Sequence, residues 1–143
     1  MTFSLLDAAK GIRHDIRDAG DGIFSEGLLG PGFLIYPETG VITSPVSGVV
    51  TQVFDTGHIV ILHMTEGPDL MIHIGFGDQA VRSGLSVHVR KGDSVDAGQT
   101  LVTFDIASAP HDKSATAVAV VFPEIQTLET INEETHAVTV RVP

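Results

Sequence analysis

The sequence predicts an all-β protein, either an antiparallel β-sandwich or a flattened barrel, built from short strands. Its 143 residues include fifteen glycines and seven prolines together with many Val, Ile and Thr residues, a composition typical of turn-rich β proteins. From Gly32 onward, short apolar runs follow one another at close spacing, each bounded by turn residues. The runs span residues 33–36, 46–54, 58–64, 70–74, 85–89, 101–105, 115–122 and 137–142.

The rest of the chain is turns and two less regular segments. In residues 1–20, apolar residues recur at helical spacing but Gly11 interrupts them, so helix and irregular strand both stay open. One helical turn is expected near residues 123–128. No linker or charge block divides the chain, so we expect one domain over residues 1–143, with 1–20 as its least defined segment. The dividing turns, rich in Gly, Pro, Asp and Ser, span residues 37–40, 44–45, 55–57, 66–68, 91–93 and 96–98.

Two consecutive runs are apolar on both faces of the predicted strand. Residues 58–64 read HIVILHM, and residues 70–74 read LMIHI. Such strands are either central and covered on both sides, or covered on one side with an apolar surface on the other. The second arrangement suits a protein that docks partners.

Charge and composition exclude several classes of function. Eighteen acidic residues against eight Lys and Arg give a net charge of −10, which makes nucleic acid and anionic membranes poor partners and favours a basic protein partner. No apolar run approaches the roughly 20 residues that cross a bilayer, and the N-terminus lacks a secretion signal. Cysteine is absent, which excludes thiolate metal sites and cysteine nucleophiles. We therefore expect a cytoplasmic protein without metal or cofactor.

The histidines are the informative candidates for chemistry, because the sequence has no G-x-S-x-G elbow, phosphate-binding P-loop or dinucleotide fingerprint. His58 and His73 lie in consecutive apolar runs joined by a short turn, so a hairpin brings them to neighbouring or diagonal positions. An imidazole in an apolar wall stays neutral, the form that attacks phosphorus or binds a metal. The other five are interpreted as exposed or hydrogen-bonded: His14, His63, His88, His111 and His136.

Four ordered stretches carry a resemblance to a known family. They read DGIFSEGLLGPGFLIYP (residues 21–37), SPVSGVVTQVFDTGH (44–58), DLMIHIG (69–75) and VRKGDSVDAGQTLVTFDIA (89–107). Together they resemble, in order and spacing, the glucose-type IIA components of the bacterial sugar phosphotransferase system. The resemblance implies an antiparallel β-sandwich of the duplicated hybrid motif type. It also implies a phosphocarrier that takes a phosphoryl group from HPr and passes it to a IIB domain for sugar uptake. It would not bind sugar directly and would meet the membrane only through the permease.

The resemblance also assigns residues. It makes His73 the phosphoacceptor, His58 the second active-site histidine and Thr56 a hydrogen-bonding residue of that site. We expect His58 to donate to the phosphoryl oxygens and peptide N–H groups around residues 75–77 to help. We also expect a backbone carbonyl or hydroxyl to fix the second ring nitrogen of His73. The partner face is expected to comprise Asp21, Ile23, Phe24, Leu28, Leu29, Phe54, Ile61, Met71 and Asp78.

The sequence departs from the family after the phosphoacceptor. Residues 74–81 read IGFGDQAV, with a displaced acid (Asp78) and no threonine where the family usually has I-G-I-D-T-V, and residues 7–11 read DAAKG in place of A-P-x-x-G. One alternative is therefore a regulatory relative that binds proteins but no longer relays phosphate. Lysostaphin-like zinc hydrolases and biotinyl or lipoyl carriers share some strand motifs, but the H-x-H signature of the first and the lysine-tip signature of the second are absent here.

Overall fold

The computed structural model describes residues 1–65 and 67–143. This part of the chain forms thirteen strands, three short 3₁₀ helices and no α-helix. The 3₁₀ helices span Ile16–Ala19, Ile106–Ser108 and Lys113–Ala115. The strands are β1 (Thr2–Leu6), β2 (Arg13–Asp15), β3 (Gly32–Ile35), β4 (Val41–Thr43), β5 (Gly48–Val53), β6 (Ile59–Met64), β7 (Asp69–Ile74), β8 (Ser86–Val87), β9 (Ser94–Val95), β10 (Thr100–Thr103), β11 (Val118–Val121), β12 (Glu129–Glu133) and β13 (Ala137–Arg141).

The strands pair antiparallel in three sheets. The largest has seven strands in the order β2-β3-β11-β7-β6-β5-β9, and two smaller sheets have the orders β1-β13-β12 and β4-β10-β8. Their inward faces share one apolar core, which includes the fully buried Leu62, Leu70, Leu101 and Phe122. The sheets are open at their edges, so the all-β prediction is confirmed in its sandwich form.

The β6–β7 hairpin explains why both of its strands are apolar on two faces. The pairs Val60–Ile72 and Leu62–Leu70 lie on the inner face and are buried in the main core. The pairs Ile59–His73 and Ile61–Met71 lie on the outer face, where all four residues are half-buried. The predicted arrangement with one covered face and one apolar presented face is therefore found in this hairpin.

A second, smaller apolar cluster covers part of that outer face. The 3₁₀ helix Ile16–Ala19 and the loop that follows it place Ile16 and Phe24 over β3, β7 and β11, together with Phe76. Asp15 begins this helix, because its side chain accepts a hydrogen bond from the backbone N–H of Arg17. The cluster supports the side of β7 that carries His73.

The structure decides the segments that the sequence left open. The first twenty residues form two strands and a 3₁₀ turn rather than an α-helix. The helical turn expected at residues 123–128 is wrong: one turn closes by a 3.1 Å hydrogen bond from the Ile125 N–H to the Phe122 carbonyl, and β12 begins at Glu129. Glu66, part of the predicted turn 66–68, lies outside the described residues.

Candidate active site

The hairpin brings His58 and His73 together. His73 pairs with Ile59, so His58 lies one residue beyond its cross-strand position, and the His58 carbonyl accepts a 2.8 Å hydrogen bond from the Ile74 N–H. The two imidazole centroids are 5.4 Å apart with an interplanar angle of 86°. Because His58 precedes the regular part of β6, strand alternation does not direct its ring to the core face. The predicted diagonal arrangement is the one observed.

His73 lies among aromatic rings. Its imidazole centroid is 4.9 Å from the Phe24 ring and 5.7 Å from the Phe76 ring, which is stacked on it at 22°. Burial lowers the pKa of His73 to about 4, and the nearby charges of Arg82 and His58 act in the same direction, while Asp21 opposes them. His73 is therefore neutral at pH 7 and keeps a ring lone pair for nucleophilic attack.

The two ring nitrogens of His73 differ in access. Its Nδ1 atom is buried and has no hydrogen-bond partner among the described residues. The expected carbonyl or hydroxyl partner is therefore not found, and aromatic packing fixes the ring instead. Nε2 is not buried in this way, so it is the ring nitrogen that a reagent can reach.

Thr56 holds the second histidine. Its hydroxyl oxygen makes a short hydrogen bond with Nδ1 of His58. The Phe54 ring packs edge-on against His58 at 5.8 Å. Burial, and then the charge of Arg82, lower the pKa of His58 below its ordinary value. Burial and the charge of Arg82 therefore lower the pKa of both imidazoles.

A cavity of about 610 Å³ opens beside His73. One wall is the loop from Ala19 to Phe24, and the opposite wall is the segment from Gly75 to Arg82, with Asp112 and Ser114 completing it. The wall contains apolar rings next to several charged groups, and His73 lies at the boundary of this cavity.

Asp21 shapes the first wall. Its carboxylate accepts backbone hydrogen bonds from Ile23 (3.3 Å), Phe24 (3.1 Å) and Ser25 (3.0 Å). Partial burial alone raises the pKa of Asp21, but these N–H donors outweigh it and lower the pKa below the ordinary value. The residue expected on the partner face thus also fixes the loop that packs Phe24 on His73. Asp78 is exposed at the cavity.

The apolar residues expected on the partner face separate into three groups. Phe24 is buried, with 4% of its surface exposed, and belongs to the second cluster. Leu29, Ile61 and Met71 are half-buried. The exposed members are Ile23 at 52%, Leu28 at 71% and Phe54 at 39%.

Two of the peptide N–H groups expected to help phosphoryl transfer are already bonded. The Gly75 N–H donates to the Ala117 carbonyl at 2.7 Å, and the Phe76 N–H donates to the Ser114 carbonyl at 2.8 Å. The prediction for residues 75–77 is therefore wrong for these two, because the chain after β7 stays bound to the segment before β11.

Sequence reasoning missed Phe76 and Arg82. Phe76 stacks on His73, and Arg82 lies in the cavity wall and binds carbonyl groups of the same segment. Phe76 lies in the stretch that departs from the family and Arg82 directly follows it, so no motif marked them. The sequence did offer one signal for Arg82, because it places a positive charge nine residues after His73 in a strongly acidic chain.

Two of the other histidines form hydrogen bonds with nearby side chains. Nδ1 of His63 is 2.6 Å from a carboxylate oxygen of Asp69, and Nε2 of His88 is 2.8 Å from the Thr103 hydroxyl. Within the described residues, no group of three or more His, Asp or Glu side chains is arranged to hold a metal ion.

The fold and site define the chain as an antiparallel β-sandwich protein with a paired-histidine centre on one sheet face. The family described as the phosphoenolpyruvate-dependent sugar phosphotransferase system, EIIA 1, matches residues 3–128. A glucose-specific EIIA component from Halalkalibacterium halodurans is 36% identical over 143 residues, covering 93% of this chain and 83% of that protein. The glucose permease IIA from Mycoplasma capricolum superposes with a TM-score of 0.80 at 27% identity, covering 98% and 96% of the two chains.

The chain belongs to this EIIA family of the phosphotransferase system. It is a phosphocarrier, and EIIA components exchange phosphoryl groups with HPr and IIB domains. A β-glucoside-specific EIIBCA component from Bacillus subtilis is 38% identical over 98 residues, which are 68% of this chain and 16% of that protein. Among the described residues, no helix is long and apolar enough to cross a membrane.

Proposed function

We propose that His73 is the phosphoacceptor of this EIIA component and that His58 and Thr56 complete its active site. The observation that carries the assignment is the His73 imidazole, held neutral between Phe24 and Phe76 with the His58 ring edge-on beside it. A neutral imidazole with one accessible nitrogen is a competent nucleophile. The aromatic wall keeps water from competing for the phosphoryl group.

The proposed step is an in-line transfer between two nitrogens. The Nε2 lone pair of His73 attacks phosphorus as the nitrogen–phosphorus bond of phospho-HPr breaks, and the leaving electron pair returns to the donor imidazole. Onward transfer reverses these roles, with a cysteine thiolate of the IIB domain attacking and Nε2 leaving. The protein contributes alignment and charge stabilisation, which dominate catalysis of phosphoryl transfer.

His58 supplies a donor to the phosphoryl oxygens in this proposal. A neutral imidazole has one N–H, so Nε2 of His58 donates only when Nδ1 accepts. The Thr56 hydroxyl makes a short hydrogen bond with that Nδ1 atom, and in this proposal the hydroxyl is the donor. The role proposed for Thr56 is to hold His58 in the tautomer that carries its proton on Nε2.

The exposed apolar side chains around the site supply the docking face. Ile23, Leu28 and Phe54 are exposed on the loops that flank His73 and His58. We assign them, with Asp21, Asp78 and the half-buried Leu29, Ile61 and Met71, to contact with HPr and the IIB domain in turn. The acidic chain, with a net charge of −10, suits a basic partner surface.

The remaining features of the proposal follow from the role of the family. Residues 1–143 act as one phosphocarrier domain in the cytoplasm, touch proteins rather than sugar, and reach the membrane only through the permease. The relatives include glucose-specific and β-glucoside-specific components, so we assign the choice of sugar to the permease rather than to this chain.

The test is phosphorylation with phosphoenolpyruvate, enzyme I and HPr, followed by mapping of the label. We expect an acid-labile, base-stable phosphate on His73 that is absent from His73→Gln. The exposed His88→Gln variant is the matched control and should label like wild type. His58→Gln should still accept the label but pass it on about 10²-fold more slowly, the cost of one lost transition-state donor. If the folded wild-type protein is never labelled, the regulatory alternative replaces the relay.

A further inference from the structure

Arg82 holds together the segment that follows His73. Its Nη1 group donates to the carbonyls of Ile74 and Val81, both at 2.8 Å, and Nη2 donates to the Gly75 carbonyl at 3.2 Å. These bonds join the two ends of the loop that forms one wall of the cavity. They use three of the five N–H donors of the guanidinium, in partly buried positions.

The backbone at Gly75 makes room for this arrangement. Gly75 has a φ of +82°, and a Cβ atom there would lie 3.1 Å from Nη1 of Arg82 and 2.5 Å from the Ala115 carbonyl oxygen. A side chain at this position would push against both groups and would also be strained by the positive φ. Glycine therefore allows the guanidinium to lie against the chain immediately after His73.

Arg82 also changes the charge balance of the cavity. Among the described residues that line it, Arg82 is the only Lys or Arg, and the lining also includes three carboxylates, Asp21, Asp78 and Asp112. The positive charge of Arg82 lowers the pKa of both His73 and His58, after the larger effect of burial, whereas Asp21 acts in the opposite sense on His73. Burial lowers the pKa of Arg82 itself, but a guanidinium remains charged at neutral pH.

We propose that Arg82 is a positioning residue for phosphoryl transfer at His73. Three backbone carbonyls hold its guanidinium in the cavity wall, where its fixed charge favours the neutral imidazole and stabilises the arriving phosphoryl group. In that step the donor nitrogen–phosphorus bond breaks as the Nε2–phosphorus bond of His73 forms, and Arg82 neither gains nor loses a proton. Lysine retains the charge but not the planar fork that binds several carbonyls at once. The inference rests on the proposed function.

The experiment compares Arg82→Gln, Arg82→Lys and the control Arg90→Gln, which changes the net charge equally at an exposed arginine outside the cavity. The first readout is the rate of phosphoryl transfer from phospho-HPr. We expect Arg82→Gln to be slower by about 10-fold or more, Arg82→Lys to recover part of that loss, and Arg90→Gln to stay within about twofold of wild type.

The second readout needs no partner protein: the ring pKa of His73, followed by NMR of its ring nitrogens. It should rise in Arg82→Gln, rise less in Arg82→Lys, and stay unchanged in Arg90→Gln. The inference is overturned if Arg82→Gln matches Arg90→Gln in both readouts. It is also overturned if the Gln and Lys variants lose activity equally while the His73 pKa does not move, because the charge then plays no part. A wild-type protein that accepts no phosphate contradicts the proposed function, whereas the NMR titration still tests the charge of Arg82.

Discussion

Replacing His73 should make the protein more tolerant of acid. Burial lowers the folded-state pKa of His73 from 6.5 to about 4, whereas the unfolded chain titrates near the ordinary value. Between these two pKa values the unfolded state binds a proton that the folded state does not bind. The free energy of unfolding therefore falls as pH falls. A difference of about 2.5 units corresponds to roughly 3 kcal/mol. Solvent screening at a half-buried ring reduces this to about 2 kcal/mol.

Urea denaturation at pH 7.5, 6.0 and 4.5 measures this effect in wild type and His73→Gln. The difference in stability between the two should change by about 2 kcal/mol from the highest pH to the lowest, in favour of the variant. Carboxylates such as Asp21 lose stability in both proteins and cancel in the difference. If the two pH profiles run parallel, His73 titrates normally in the folded state, and the argument for a neutral nucleophile held by burial fails.

Three further changes test other parts of the site. Thr56→Val should slow phosphoryl transfer about 10-fold and shift His58 toward the tautomer protonated at Nδ1, whereas Thr56→Ser, which keeps the hydroxyl, should restore both the rate and the ring-nitrogen NMR signature. Gly75→Ala should lower the free energy of unfolding by about 1–3 kcal/mol in urea titrations, because φ is +82° and the new Cβ would meet the Ala115 carbonyl at 2.5 Å; an unchanged midpoint would contradict this. Leu28→Ser should leave stability within about 0.5 kcal/mol, since 71% of the side chain is exposed, but should weaken HPr binding in calorimetry; unchanged affinity would remove Leu28 from the docking face.

The longer strands were predictable because local pattern decides them. The β6–β7 hairpin has apolar residues on both faces and a short connection, and these features fix its existence and bring His58 to His73. Strands β4 and β9 have three and two residues and acquire their conformation from distant partners. No periodicity can develop over such lengths, so the sequence did not reveal them. Residues 123–128 form one turn, closed by the hydrogen bond from the Ile125 N–H to the Phe122 carbonyl, before the chain enters β12 at Glu129.

In the candidate active site, too, the contacts within one hairpin were predictable from the sequence and the contacts with distant segments were not. The two histidines are close in sequence and share a hairpin, so their proximity was predictable. The orientation of the His73 ring was not, because it depends on Phe24, which arrives from another part of the chain. The position of the Arg82 guanidinium depends on how the loop after Gly75 folds back, which no residue pattern specifies. Asp21 was recognised as a site residue, but its hydrogen bonds to the following loop became visible only in the structure.

In the proposed relay, the surroundings of His73 impose one constraint on both directions of phosphoryl transfer. Burial favours the neutral imidazole, which helps His73 to accept a phosphoryl group, but the same burial disfavours the charge that the phosphoryl group brings. Burial alone therefore raises the energy of the phosphorylated form. The charge of Arg82 and a donor from His58 offset part of this cost. Partial compensation leaves the phosphoryl group bound but ready to leave, which is the property a carrier between two partner proteins requires.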